Sequence, residues 1–124
     1  MAELLYKDLT GQIRQAAFEI HSYFGNGFLE KVYENSLNYK LNKLDIQCEA
    51  QKQIKVYFED NVVVGEYYAD ILVEDKIIIE LKTVKQIQKV HIAQLINYLK
   101  ATRYKLGLLI NFGHKKLQFK RVVL

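Results

Sequence analysis

The chain has 124 residues, of which 50% are apolar and 26% charged. This balance is too apolar for a disordered chain, and it predicts a single domain over residues 1–124 with its own core. Cys48 is the only cysteine, which excludes an internal disulfide, and we expect it to be a small buried residue. No apolar run could cross a bilayer, and the N-terminus lacks the apolar segment of a signal peptide, so we expect a cytoplasmic protein.

Charge is distributed unevenly along the sequence. All 14 acidic residues lie in residues 1–80, where 8 Lys and Arg leave a net charge of 8 − 14 = −6. Residues 81–124 contain ten Lys and Arg and no acid, a net charge of +10. A segment this basic suits a polyanion such as nucleic acid. The alternative is a solvated basic surface whose partner charges lie on the first part of the chain.

Apolar periodicity predicts the elements in chain order. Helical spacing covers three segments: residues 7–24, 29–44 and 88–102. Gly25-Asn26-Gly27 ends the first helix, because these residues tolerate left-handed geometry. Strand patterns cover five segments: residues 46–58, 62–73, 77–84, 105–112 and 116–123. The prediction is an α+β fold in the order ααβββαββ, with a central mixed sheet of about five strands flanked by helices.

Charged residues interrupt two of these apolar strands. Glu80 and Lys82 lie two positions apart, so their side chains share one face of the third strand. If residues 74–76 form a three-residue loop, Val73 pairs with Ile77 and Asp70 lies opposite Glu80. Opposed carboxylates about 5 Å apart repel unless a cation or a proton lies between them.

A hard divalent cation would relieve this repulsion. Mg²⁺ takes one or two carboxylates and keeps several waters, and it could activate water against a phosphodiester. Lys82 could then orient the water or stabilise transition-state charge. The alternative is an exposed ion pair of Glu80 and Lys82 on an edge strand, with Asp70 near a turn. The apolar context of residues 77–81 favours the buried site, because a buried charge must be paired or metal-bound.

Asp70 followed by a hairpin and Glu80-Leu81-Lys82 resembles the (D/E)xK half-motif of the PD-(D/E)xK nuclease superfamily. The small GxxExxY family is more similar still. Its motif reads Gly27-Phe28-Leu29-Glu30-Lys31-Val32-Tyr33 here, and further matching stretches cover residues 69–73, 91–100 and 107–113. The resemblance covers nearly the whole chain and implies an α/β restriction-endonuclease-like core. Ala69 stands where the superfamily has proline.

The resemblance also implies roles for individual residues. Asp70 and Glu80 would bind Mg²⁺ or Mn²⁺, with the backbone carbonyl of Leu81 as a further ligand, and Lys82 would assist the water. Glu30 would be the extra catalytic and metal-binding acid from the preceding helix. An acid in a first helical turn also stabilises the helix dipole, which is the competing explanation.

Two residues of the third helix match a QxxxY pattern found in RecB-like members. Gln94 and Tyr98 are four residues apart, so they share a helix face that could position the site or touch the substrate strand. Alternatively, Tyr98 packs on the sheet while Gln94 bonds to the backbone.

Together these features predict a Mg²⁺- or Mn²⁺-dependent nuclease that hydrolyses phosphodiester bonds, with DNA as the expected substrate. The basic segment, including Lys85 and Lys89, would contact phosphates. Because so short a chain covers little duplex, we expect a homodimer or a larger complex. Two alternatives remain open: a catalytically inactive module that binds nucleic acid or a protein partner, and a structural or regulatory homo-oligomer.

Overall fold

A computed structural model describes residues 4–124. Residues 1–3, part of the N-terminus in which we predict no signal peptide, lie outside the described residues. The elements, in chain order, are α1 (Lys7–Phe24), α2 (Glu30–Lys43), β1 (Cys48–Phe58), β2 (Val62–Val73), β3 (Ile77–Lys82), α3 (Lys89–Thr102), β4 (Leu106–Asn111) and β5 (Gln118–Val123). The predicted order ααβββαββ is confirmed, and the element ends lie within about two residues of the predicted ones.

The strands form one mixed sheet in the spatial order β1-β2-β3-β4-β5. Neighbouring strands are antiparallel except β3 and β4, which run parallel. The chain between β3 and β4 crosses over through α3, as a parallel connection requires. β3 is the middle strand of the five, and its residues are buried from Ile77 to Leu81.

Side chains on the two faces of the sheet form two buried clusters. One face packs against α1 and α2 through residues that include Ile13, Leu37 and Ile79. The other face packs against α3 through residues that include Ile78 and Leu95. The elements on either side therefore contribute different groups to any site on the sheet.

The connection between α1 and α2 is fixed by a buried tyrosine. Gly25 ends α1 with a φ of 72°, a left-handed value that favours glycine. The Tyr33 hydroxyl donates to the Gly25 carbonyl at 2.6 Å and accepts from the Phe28 amide at 3.2 Å. These bonds satisfy main-chain groups at the helix ends and hold the start of α2 in position.

The strands β1 and β2 extend beyond the rest of the sheet as a two-stranded ribbon. The β2 pairing with β3 covers only residues 71–73, whereas β2 pairs with β1 along most of its length. Ile54 of β1 is buried, but Phe58 near the ribbon tip is exposed. The alternating apolar side chains of β1 are thus buried only near the middle of the strand.

Cys48 corrects one expectation from the sequence. It is half-buried rather than buried, and its thiol donates to the Asn38 side-chain oxygen at 3.1 Å. None of the three helices in residues 4–124 combines the length and apolar character that crossing a bilayer requires.

Candidate active site

The candidate site lies where β2 and β3 part. Their pairing runs from Val73 opposite Ile77 to Ile71 opposite Ile79, which confirms the predicted register. One position further along, side-chain carboxylates instead of backbone carbonyls accept the main-chain hydrogen bonds. Glu80 Oε1 accepts from the Asp70 amide at 3.1 Å, and Asp70 Oδ2 accepts from the Leu81 amide at 2.7 Å. Each carboxylate is thereby hydrogen-bonded to the main chain of the neighbouring strand.

The pleat of β3 directs Glu80 and Lys82 to the α3 face. Ile78 belongs to the cluster beneath α3, whereas Ile79 and Leu81 belong to the cluster beneath α1 and α2. Since side chains alternate along a strand, Glu80 and Lys82 follow Ile78 on its face. The sequence prediction of a shared face agrees with this arrangement.

The alternation of β2 is broken beside Asp70. Ala69 and Leu72 both pack on the α3 side, although strict alternation would separate them, and Ile71 packs on the opposite side. Gln51, which precedes the partner of Ala69 on β1, has a left-handed φ of 54°. The distortion brings Gln51 of β1 and Glu34 of α2 close enough to act on the Asp70 carboxylate.

Burial and like charge make both carboxylates difficult to ionise. Glu80 is 5% exposed, and burial followed by repulsion from Asp70 raises its pKa to about 8. Burial also raises the pKa of Asp70, and the charge of Glu34 adds to this, while the Leu81 amide and Lys82 oppose it. A site with two such acids attracts either protons or a cation.

Lys82 begins a hydrogen-bonded chain that reaches α3. Its Nζ donates to Gln94 Oε1 at 3.3 Å, and Gln94 Nε2 donates to the Tyr98 hydroxyl at 3.2 Å. Burial raises the pKa of Tyr98, and the charges of Glu80 and Asp70 raise it further. Gln94 therefore holds the ammonium group through its side chain, while Tyr98 packs in the buried cluster between α3 and the sheet. A substrate-binding role for either residue stays a prediction.

The first turn of α2 brings a further acid towards the site. Glu30 is half-buried, and burial followed by repulsion from Asp70 raises its pKa, with Lys82 opposing. The charges of Asp70 and Lys82 therefore both act on the Glu30 carboxyl.

The structure adds two residues that the sequence analysis missed. Glu34 is 3% exposed and accepts from Gln51 Nε2 at 2.7 Å and from Lys31 Nζ at 2.6 Å. Its position one helical turn after Glu30 was an available signal, because residues four apart share a helix face. Gln51 gave no signal, since its role depends on the distortion of β1.

The turn after Lys82 is clamped by Asn111, which is fully buried at the end of β4. Its Oδ1 accepts from the Val84 amide at 3.0 Å, and its Nδ2 donates to the Val84 carbonyl at 2.8 Å. Gly113 packs on the same turn so closely that a Cβ there would lie 2.3 Å from the Thr83 carbonyl carbon. The clamp therefore fixes the backbone immediately after Lys82.

Lys85 and Lys89 are not gathered with the carboxylates. Both are exposed, Lys85 between β3 and α3 and Lys89 at the start of α3. Across residues 4–124, none of the ten basic residues of segment 81–124 forms an ion pair; the three pairs found there join Lys31 to Glu34, Lys40 to Glu19 and Lys52 to Glu49.

The carboxylate pair fits a hard cation with a largely aqueous shell. Within residues 4–124, no three His, Cys, Asp or Glu side chains are grouped as ligands for one ion. Mg²⁺ requires only one or two carboxylates, and Asp70 and Glu80 supply two oxygen donors whose repulsion a cation would relieve. The residues that fit are therefore this pair, and a ligand role for Glu30 stays a prediction.

Comparisons with known proteins agree with this geometry. Residues 7–122 match the family model of the PD-(D/E)XK nuclease superfamily. A crystal structure of SSO0001 aligns with a TM-score of 0.61 and 18% identity over 94% of this chain, a likeness of fold. The chain spans 65% of the length of that structure. No curated protein sequence matches. The α+β fold is thus restriction-endonuclease-like, and the chain belongs to the PD-(D/E)XK nuclease superfamily.

Proposed function

We propose that the chain is a divalent-metal-dependent nuclease that hydrolyses phosphodiester bonds of nucleic acid, with DNA as the expected substrate. The observation that carries the proposal is the interlocked pair of Asp70 and Glu80, with Lys82 following Glu80 on the same strand face. A purely structural role would not require two acids here, because neutral side chains could accept the same main-chain bonds without the repulsion of desolvated charges.

Each side chain of the site has a separate proposed role. Asp70 and Glu80 would hold Mg²⁺ or Mn²⁺, which when bound lowers the pKa of coordinated water and offsets phosphate charge. Lys82, held by Gln94, supplies positive charge where negative charge develops in the transition state. Glu30, whose pKa is raised by burial and then by Asp70, is suited to accept a proton.

The basic segment supports a polyanionic substrate. None of its ten Lys and Arg side chains forms an ion pair within the described part of the chain. We propose that the exposed Lys85 and Lys89 contact phosphates on the approach to the site. We also propose membership in the GxxExxY group, because Tyr33 fixes the connection that positions Glu30.

Cleavage by purified protein tests the proposal. Mn²⁺ is added with plasmid or single-stranded DNA, and the wild type is compared with Asp70→Asn and Lys82→Met. Loss of either group is expected to slow cleavage by at least about 100-fold. Asp45→Asn and Lys43→Met remove exposed charges elsewhere, and they are expected to cleave at the wild-type rate. Equal cleavage by all variants would assign the activity to a contaminant.

Metal binding is measured independently by thermal unfolding at pH 8. A divalent ion at 100 times its Kd should stabilise the wild type by about 2.7 kcal/mol. The Asp70→Asn variant should gain much less. DNA binding with a steep salt dependence, but without cleavage, would instead identify a catalytically inactive module.

A homodimer forms part of the proposal, since two copies could pair their sites on two strands. Light scattering on the purified chain checks this, because the monomer mass is 14.6 kDa. A monomer that cleaves DNA would remove this element and leave the nuclease proposal intact.

A further inference from the structure

A cleft of about 880 Å³ lies between α3 and the β1–β2 ribbon. Gln94 and Tyr98 form part of its wall, so the cleft adjoins the candidate active site through the chain that ends on Lys82. Its volume falls within the range of ligand-binding pockets. The cleft therefore lies beside the residues that hold Lys82.

Three tyrosines line this cleft. Tyr67 and Tyr98 face each other with ring centroids 5.6 Å apart and planes inclined by 42°. Tyr57 lies further out on the ribbon and is 53% exposed. A β-bulge breaks the register between Val56 and Tyr57, and both residues line the cleft. Bulges re-aim side chains, which accounts for two consecutive residues on one wall.

Several polar side chains of the cleft come from α3 and its C-terminal cap. Gln94, Asn97 and Lys100 belong to α3, Arg103 caps its C-terminal end, and all four line the cleft. At about 1.5 Å per residue, the distance from Gln94 to Arg103 is roughly 13 Å along the helix axis. A stacked strand advances about 3.4 Å per nucleotide, so the wall spans about four nucleotides.

The charge of the cleft is unsuited to a duplex backbone. Lys100 and Arg103 are opposed by Glu59 and Asp60 at the ribbon tip, so these four residues carry no net charge. A duplex presents one phosphate charge per about 1.7 Å and demands many cations. Aromatic faces with a few cations are instead typical of sites for unpaired strands.

We propose that this cleft binds an unpaired nucleic-acid strand and guides it to the Asp70–Glu80 site. The inference rests on the proposed function, since it names the form of substrate that the same site receives. Bases stack on Tyr57 and on the exposed face of Tyr67, whose other side packs against the buried Tyr98. Lys100 and Arg103 contact two of the phosphates. Gln94 and Asn97 lie between the aromatic and cationic groups as hydrogen-bonding partners.

Fluorescence anisotropy without divalent metal tests the proposal independently of cleavage. The probe is a labelled single-stranded DNA of about 12 nucleotides, compared with the same strand annealed to its complement. The wild type is expected to bind the single strand at least about tenfold more tightly. Tyr57→Leu should weaken this binding by about 5-fold to 100-fold, because one stacking face is lost. Tyr57→Phe keeps the ring and should bind as the wild type does.

The chain offers a matched control on the same ribbon. Tyr68 is 52% exposed and follows Tyr67, so its side chain projects from the opposite face. Tyr68→Leu should leave single-strand binding unchanged. Arg103→Gln should reduce the slope of log K against log salt by about 0.7, the contribution of one phosphate contact in a single strand.

The outcomes separate this inference from the proposed function. Equal affinity for single strand and duplex, or equal behaviour of the Tyr57→Leu and Tyr68→Leu variants, would overturn the inference even if the protein cleaves DNA. Single-strand binding that depends on Tyr57 and Arg103 would support it even if no cleavage occurs with any metal.

Discussion

The Glu80 carboxyl makes the stability of the metal-free protein depend on pH. Its pKa is raised from 4.5 to about 8 by burial and by Asp70, so the folded protein retains a proton that the unfolded chain releases. Stability therefore falls as pH rises from about 4.5 to 8 and changes little above that range. Glu80→Gln keeps an oxygen for the Asp70 amide and removes the charge, so it should lack this dependence.

The size of the effect follows from the two pKa values. Between pH 5 and pH 8 the wild type should lose about 3–4 kcal/mol relative to Glu80→Gln, since one pKa unit corresponds to about 1.4 kcal/mol. A chain of 124 residues has an unfolding entropy of about 0.26 kcal/mol/K, so this loss corresponds to roughly 12–15 °C in Tm.

Urea unfolding in the presence of a chelator measures the difference at several pH values. Glu59→Gln is the control, because it removes an exposed carboxylate from the turn between β1 and β2. Its stability should follow that of the wild type at every pH. Parallel curves for the wild type and Glu80→Gln would refute the reasoning, because they would mean that burial of Glu80 costs the folded state nothing.

Three further substitutions test the framework of the site. Tyr33→Phe removes both hydroxyl bonds at the α1–α2 connection and should lower the free energy of unfolding by about 1–3 kcal/mol in urea titrations, whereas an unchanged midpoint would mean that water replaces them. Gly113→Ala should reduce Tm and cleavage together, because its Cβ would lie 2.3 Å from the backbone of Thr83; a fully active, equally stable variant would contradict the clamp. Gly107→Ala places a Cβ 2.8 Å from the Leu95 side chain and should destabilise by about 1–3 kcal/mol in calorimetry, with partial recovery on adding Leu95→Ala.

Periodicity was sufficient to predict the elements. The helices α1, α2 and α3 have apolar faces at helical spacing, and the short turn after Val73 fixes the register that brings Asp70 opposite Glu80. Local patterns carry this information because side-chain periods of 3.6 and 2 are properties of the backbone itself.

Other parts of the site depend on tertiary geometry. The Gln51 bond to Glu34 requires a left-handed residue inside β1, which no local preference of glutamine predicts. Asn111 resembles an ordinary strand-end residue until the Val84 turn folds back onto it. The cleft beside α3 likewise requires the ribbon to extend past the sheet, which depends on where β2 leaves β3.

The separation of β2 from β3 explains both why the site would attract a cation and why it lowers the stability of the metal-free protein. Where the ladder ends, the Asp70 and Leu81 amides require acceptors, and the Glu80 and Asp70 carboxylates provide them. The same bonds hold two acids side by side under the cover of α3, at a cost in stability that rises with pH. Charged residues are unusual in a buried strand, and here they occur at the candidate site. The same carboxylates that destabilise the metal-free fold would attract a cation. The metal-free protein should therefore be least stable under the alkaline conditions in which the carboxylates are most available to a metal ion.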